Sequence, residues 1–168
     1  FRRVLFRSID IHIWGKVSVR YMENASYKMV QWLYYLDKTV TSLNNACSRK
    51  LDIYLFLTPY KKTLPHGSKR EFLTEMEVNT AYTYSCSFEE KSGSNHIVIF
   101  RKEEWFKVFL HETMHSLGID FSSISITDES NMTKKLIDTC FHGVKSNDLR
   151  IYEAYTEFWA EFIHILFL

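Results

Sequence analysis

Residues 101–120, RKEEWFKVFLHETMHSLGID, decide the fold of this chain and carry its most informative pattern. Apolar residues recur there at intervals of three or four, which predicts one stripe of an α-helix: Phe106, Leu110, Met114 and Leu117. Trp105 and Val108 extend the apolar character to a second side. A helix that is apolar on two sides is expected to be largely buried.

The ends of this helix are also predicted by local chemistry. Glu103 and Glu104 are expected in the first turn, where exposed backbone N–H groups favour negative charge. Gly118 follows Leu117, and glycine commonly ends a helix because it adopts the left-handed conformation without strain. We therefore predict a helix over residues 101–117.

Two histidines on this helix, His111 and His115, are four residues apart and so lie one turn apart on one face. Their imidazoles can point at one position, and imidazole nitrogen is a common zinc ligand. Glu112 is rotated by roughly 100° from His111, which suits it to act on a water molecule beside the ion. The H-E-x-x-H pattern therefore predicts two metal ligands and a general base.

The alternative for His111 and His115 is that they are polar decoration, or core histidines with ordinary hydrogen-bond partners. The predicted burial of the helix weighs against it, because buried ring nitrogens need partners and one metal ion supplies both rings. We favour the metal interpretation.

A catalytic zinc site needs a third protein ligand, with the fourth position left for water. A histidine at position 121 would complete one known downstream spacing, but that residue is Phe121. Asp120 stands one residue early and is expected at most to support a ligand. The third ligand must therefore come from elsewhere in the chain.

The segment YEAYTEFWAEF, residues 152–162, offers Glu153 and Glu157 on one helix face. Ala160 extends that face with a small residue, where another element could approach closely. On another face, apolar residues follow a spacing that predicts core contacts: Ile151, Tyr155, Phe158, Phe162 and Ile165. The alternative is a solvated acidic row that includes Glu161. We favour a ligand, because the preceding motif lacks one carboxylate.

The HETMH segment followed by EAYTEFWA resembles the gluzincin branch of zinc metallopeptidases, over roughly residues 76–168. The resemblance implies a zincin-like fold and a Zn²⁺ ion held by His111, His115 and Glu153. It also implies that Glu157 orients one of the zinc-binding histidines. The implied activity is cleavage of a peptide or protein substrate by a metal-activated water, with Glu112 as general base.

Two features depart from the gluzincin pattern. The gap between His115 and Glu153 is longer than in compact members of the group. The chain also ends soon after the third ligand, so the usual downstream residue that stabilises the transition state is not evident. The candidates for that role are His142, Tyr152 and Tyr155.

The rest of the chain predicts an α+β domain with a small, mostly antiparallel sheet. A long N-terminal helix is predicted over residues 21–49, a strand over 51–58, and a hairpin formed by 76–88 and 96–100. A short helix over 131–141 and a last helix from Asp148 onward complete the series. Residues 1–168 are taken as one domain, which could belong to a longer chain, with residues 1–8 as a truncated start or cloning remnant.

The amino-acid composition argues against some classes of function, such as general nucleic-acid binding. Of 168 residues, 46% are hydrophobic, which is enough for a core, and 21 basic residues face 20 acidic ones. This balance argues against a general nucleic-acid binder, and the apolar C-terminus is too short for a membrane span. Three cysteines, an odd number, predict free buried thiols and, with no signal peptide visible, an intracellular location. The oligomeric state is left open.

Two other functions compete with a peptidase. One is a non-catalytic zinc-binding domain, in which the ion is structural or regulatory. The other is a metal-free helical module that uses the acidic helix to dock a partner. A purely structural zinc site does not require Glu112, so the complete motif favours catalysis.

Overall fold

The computed structural model describes residues 8–40, 50–62, 79–84, 94–120, 135, 138–140 and 151–168. The strands within these residues are β1 (Ser8–Trp14), β2 (Lys50–Phe56), β3 (Ala81–Thr83) and β4 (Ser94–Ile99). The helices are α1 (Val19–Thr39), α2 (Trp105–Leu117) and α3 (Ile151–Leu166). Lys135 and residues 138–140 are also helical, inside the predicted short helix. A small sheet with helices agrees with the predicted α+β class at this level.

The four strands form one sheet in the order β1-β2-β4-β3. The β1–β2 and β2–β4 pairs are parallel, and only β3 runs antiparallel, beside β4. The prediction of a mostly antiparallel sheet is therefore wrong, although the antiparallel pairing of β3 with β4 is confirmed. A helix such as α1 can carry the chain back across a sheet, which makes parallel neighbours accessible to β1 and β2.

Strand β1 is the element that the sequence prediction missed. Ile9, Ile11 and Ile13 alternate with polar residues, which is the period of a strand with one covered face. The strand begins at Ser8, which pairs with Lys50. Residues 1–7 lie outside the described part of the chain.

Helix α1 begins at Ser18, whose side-chain oxygen accepts a hydrogen bond of 3.2 Å from the Tyr21 N–H. It extends to Thr39, and residues 41–49 of the predicted helix lie outside the described residues. Its buried residues form one stripe against the core: Ala25, Met29, Trp32, Leu33 and Leu36. This helix therefore packs against α2, and its buried residues belong to the same core cluster as those of the sheet.

Helix α2 is buried on almost every side, as predicted. Trp32 donates a hydrogen bond of 2.8 Å from Nε1 to Thr113 Oγ1, which ties α1 to α2. Asn95 donates one of 2.5 Å from Nδ2 to the Ser116 carbonyl, which ties β4 to α2. These two buried contacts hold α2 in a fixed position against α1 and the sheet.

The C-terminal end of α2 agrees with the sequence prediction, whereas its N-terminal end does not. Gly118 ends the helix with a left-handed φ of 63°, as expected. Glu104 also has a positive φ, 53°, and precedes the helix, which starts at Trp105. The prediction that Glu103 and Glu104 lie inside the first turn is wrong, because the left-handed backbone at Glu104 interrupts the helix there.

Helix α3 packs on α2 through its glutamate-bearing face, where Thr156 and Ala160 are fully buried. The predicted core stripe of this helix is wrong: Phe158 is 62% exposed, Phe162 is 50% exposed and Ile165 is 63% exposed. Small residues let the two helix backbones approach closely, and that contact decides which face of α3 is covered.

Two predictions from composition can also be compared with the structure. None of the helices in the described residues has the length and apolarity to cross a membrane. Cys140 is a free thiol, as predicted, but it is exposed rather than buried. Cys47 and Cys86 lie outside the described residues.

Candidate metal centre

Three ligand atoms from two helices converge on one point. Nε2 of His111 lies 2.9 Å from Nε2 of His115, and each nitrogen lies 3.3 Å from Oε2 of Glu153. Nitrogen and oxygen ligands arranged tetrahedrally around zinc, at 2.0–2.1 Å, stand about 3.3 Å from one another. The spacing and the donor set therefore fit a zinc ion, and the structure brings the three predicted ligands together.

The other nitrogen of each histidine faces a carboxylate. Nδ1 of His111 lies 3.0 Å from Oε2 of Glu157, and Nδ1 of His115 contacts Oδ2 of Asp120. A carboxylate only accepts hydrogen bonds, so each Nδ1 carries the proton and donates. In neutral rings, both Nε2 atoms then present lone pairs toward each other and toward Glu153, an arrangement that attracts a cation.

The pKa values of the two histidines reflect the same attraction for positive charge. Burial opposes protonation of His115, but hydrogen bonds and charge from Asp120 and Glu153 outweigh burial and raise its pKa from 6.5 to about 10. Burial also opposes protonation of His111, and the carboxylates of Glu153 and Glu157 raise its pKa. The site thus favours cationic charge.

The carboxylates are shifted in the complementary direction. The hydrogen bond from His111, followed by that from His115, holds the pKa of Glu153 well below its usual value. The hydrogen bond from His111 and the ion pair with Lys107 outweigh burial and lower the pKa of Glu157 to about 2. Both groups are therefore anionic at neutral pH, as a ligand and its supporting acceptor must be.

Glu112 lines the same cleft as His111 and Glu153, as the H-E-x-x-H motif predicts. Burial raises its pKa, and the nearby His111 and His115 partly oppose that rise. A carboxylate whose pKa is raised toward neutral pH accepts a proton and later releases it more readily. Its position and its pKa suit a general base.

The cleft runs between α2, α3 and the end of the sheet. Its lining residues are Lys62, Asn79, Thr80, Ala81, Lys107, Val108, His111, Glu112, Glu153 and Glu157. Ala81 belongs to β3, which is the outermost strand on this side of the sheet among the described residues. An edge strand therefore borders the cleft that holds the convergent ligand atoms.

The three candidates for transition-state stabilisation occupy different places. The ring of Tyr152 lies 6.0 Å from the His115 ring, between centroids, so this side chain is beside the metal centre. Tyr155 is 41% exposed, and its ring contacts Trp159 at 6.3 Å. His142 lies outside the described residues. Proximity thus favours Tyr152.

Asp120 lies where the supporting role expected for it requires, in contact with His115, whereas sequence reasoning missed Lys107. Asp120 is buried and pairs with His115, which lies at the end of the same helix, so its contact follows from the turn after Gly118. Lys107 is buried in α2 and pairs with Glu157 of α3 at 2.7 Å. A lysine one turn before His111, among the apolar residues of the first half of α2, was the available signal.

No family model, curated protein or solved structure matches this chain. The interpretation of the site therefore depends on its geometry and chemistry and on the motif resemblance.

Proposed function

We propose that this chain is a zinc-dependent hydrolase of peptide bonds with a zincin-like fold. The observation that carries the proposal is the convergence of Nε2 of His111, Nε2 of His115 and Oε2 of Glu153, within 2.9–3.3 Å of one another, in a cleft that Glu112 also lines. Two neutral imidazoles and one carboxylate form the ligand set of one class of catalytic zinc sites.

A zinc ion bound there would supply Lewis acidity, which polarises a carbonyl group and lowers the pKa of water from 15.7 toward about 7. Glu112 takes a proton from the attacking water and delivers it to the leaving nitrogen as the C–N bond breaks. Glu157 and Asp120 hold the Nδ1 protons of His111 and His115, which keeps both Nε2 lone pairs directed into the site.

Strand β3 gives the substrate a line of approach to the cleft. Ala81 of β3 lines the cleft, and β3 is the last strand of the sheet among the described residues. An extended peptide can add to the edge of a sheet through backbone hydrogen bonds. Tyr82, on this strand, is 51% exposed. A peptide or protein substrate bound in this way would pass its backbone across Glu112 and the metal centre.

The proposal is tested by incubating the zinc-loaded chain with a mixed peptide library and measuring peptide cleavage. We expect cleavage that stops when a chelator is added and returns with added zinc. The matched variant is Glu112→Gln, which preserves shape but cannot accept a proton. We expect it to bind one zinc per chain and to lose 10²–10⁴-fold in turnover, the usual contribution of general acid–base catalysis.

The outcomes separate the competing functions. A Glu112→Gln variant that cleaves as fast as the natural chain contradicts the assigned general base. Bound zinc without chelator-sensitive cleavage favours a non-catalytic zinc domain. A folded chain that binds no zinc favours the metal-free interaction module.

A further inference from the structure

Lys107 is a buried cation in the first half of α2, where the other residues from Trp105 to Leu110 are apolar. Lys107 is only 7% exposed, and its neighbours Phe106 and Val108 are both in the core. A buried ammonium group is costly unless it is paired, and an apolar residue at this place would avoid that cost. The pairing partners of Lys107 therefore indicate what the lysine contributes.

Those partners are carboxylates of α3 and of the residue before α2. Nζ of Lys107 lies 2.7 Å from Oε1 of Glu157, 3.1 Å from Oε1 of Glu161 and 3.9 Å from Oε2 of Glu104. The pairing is shortest to Glu157, whose other oxygen, Oε2, lies 3.0 Å from Nδ1 of His111. Each oxygen of Glu157 thus has a different partner.

Glu157 needs such a second partner to stay in place. Its side chain is 49% exposed, and it stands one helical turn from both Glu153 and Glu161. Like charges at this spacing repel one another, and solvent offers the carboxylate an alternative orientation. The ammonium group of Lys107 offsets that repulsion and fixes the oxygen that does not face His111.

We propose that Lys107 is a positioning residue for the metal centre: it holds the Glu157 carboxylate against Nδ1 of His111 and so directs Nε2 of His111 toward the ion. The proposal depends on the zinc site of the proposed function, but not on peptidase activity. The chain of contacts that orients the ligand then runs from His111 through Glu157 to Lys107.

A purely structural role would consist of docking α3 on α2. That role would be shared by the Lys107–Glu161 pair, which joins the same two helices but does not lead to His111. Glu161→Gln is therefore the matched control for Glu157→Gln. A second control is Lys50→Met, because Lys50 is an exposed lysine that pairs with Asp10 on β1 and Asp52 on β2.

Zinc affinity, measured by competition with a chromophoric chelator, tests the proposal without any substrate. We expect Lys107→Met to weaken zinc binding by about tenfold, the lower end of the effect of outer partners of metal ligands. Lys107→Arg should recover most of the affinity, and Glu161→Gln and Lys50→Met should keep it. In a Glu157→Gln background, Lys107→Met should cause no further loss, because the link is already broken.

Three results would overturn the proposal: natural zinc affinity in folded Lys107→Met, an equal loss in Glu161→Gln, or an undiminished loss in the Glu157→Gln background. Lys107→Gln, which keeps a polar head without charge, replaces Lys107→Met if the latter does not fold. If neither neutral variant folds, Lys107 is a folding requirement and the positioning role is rejected. Absence of zinc from the natural chain would instead reject the proposed function itself.

Discussion

Oε2 of Glu153, on α3, lies 3.3 Å from Nε2 of His115, which stands 38 residues earlier on α2. The two side chains come from helices that are separated in sequence and meet only through packing. The carboxylate completes a set of three ligand atoms whose spacing matches a tetrahedral zinc site.

Removal of a ligand should abolish stoichiometric zinc binding. We expect the natural chain to hold one zinc per chain, and His115→Ala and Glu153→Ala to hold almost none, because two remaining ligands bind the ion far more weakly. Elemental analysis after gel filtration measures this. His12→Ala, on β1, is the control and should keep its zinc. A Glu153→Ala variant with full occupancy would contradict the assigned third ligand.

Asp120 should contribute to zinc affinity through His115. Asp120→Asn keeps the size of the side chain but removes the negative charge of the carboxylate whose oxygen accepts the hydrogen bond from Nδ1 of His115. We expect zinc affinity to fall by about 10–100-fold, the usual effect of losing such a partner. A chelator competition titration measures the change. An unchanged dissociation constant in the folded variant would show that the contact does not support the ligand.

The metal-free chain should be most stable in mildly acidic solution. Because the pKa of His115 is raised from 6.5 to about 10, its contribution is complete below pH 6.5 and is lost as pH rises through 10. Because the pKa of Glu157 is lowered from 4.5 to about 2, its contribution is complete above pH 4.5 and is lost toward pH 2. Urea unfolding of chelator-treated protein at several pH values measures this.

The Asp120→Asn variant is the control for that pH dependence. Asp120 is the main group that raises the pKa of His115, so the loss of stability between pH 6.5 and 10 should become smaller in the variant. A natural chain whose stability rises steadily from pH 6.5 to 9 would contradict the assigned shift.

Close packing of α3 on α2 should be necessary for the metal centre. Ala160 is fully buried between the helices, so Ala160→Leu should overpack the contact and cost about 1–3 kcal/mol of the free energy of unfolding. The displaced α3 should also weaken zinc binding, because Glu153 moves with it. Urea unfolding and zinc titration measure the two effects.

Phe158→Leu is the matched control, since Phe158 lies on the same helix and is 62% exposed. We expect this exposed change to alter the free energy of unfolding by less than about 0.5 kcal/mol. Equal effects of the two substitutions would mean that the Ala160 contact does not position α3.

Much of α2 and half of the candidate site could be predicted from the sequence. The spacing of His111 and His115 places them on one face of any α-helix, because that geometry depends only on the local backbone. The apolar residues on two sides predicted the burial of α2, and Gly118 predicted its end. The alternation of Ile9, Ile11 and Ile13 would also have predicted β1.

Contacts between distant segments were decided only by the tertiary structure. Helical periodicity places Glu153, Glu157 and Glu161 on one face, but it does not say which carboxylate meets a histidine and which meets Lys107. The small residues Thr156 and Ala160 set the close approach of α3 to α2, which turned the acidic face inward and left its aromatic residues exposed. The parallel pairing of β1, β2 and β4 has the same origin. Strand direction and helix pairing depend on packing between remote segments, whereas local periodicity determines only which residues share a face.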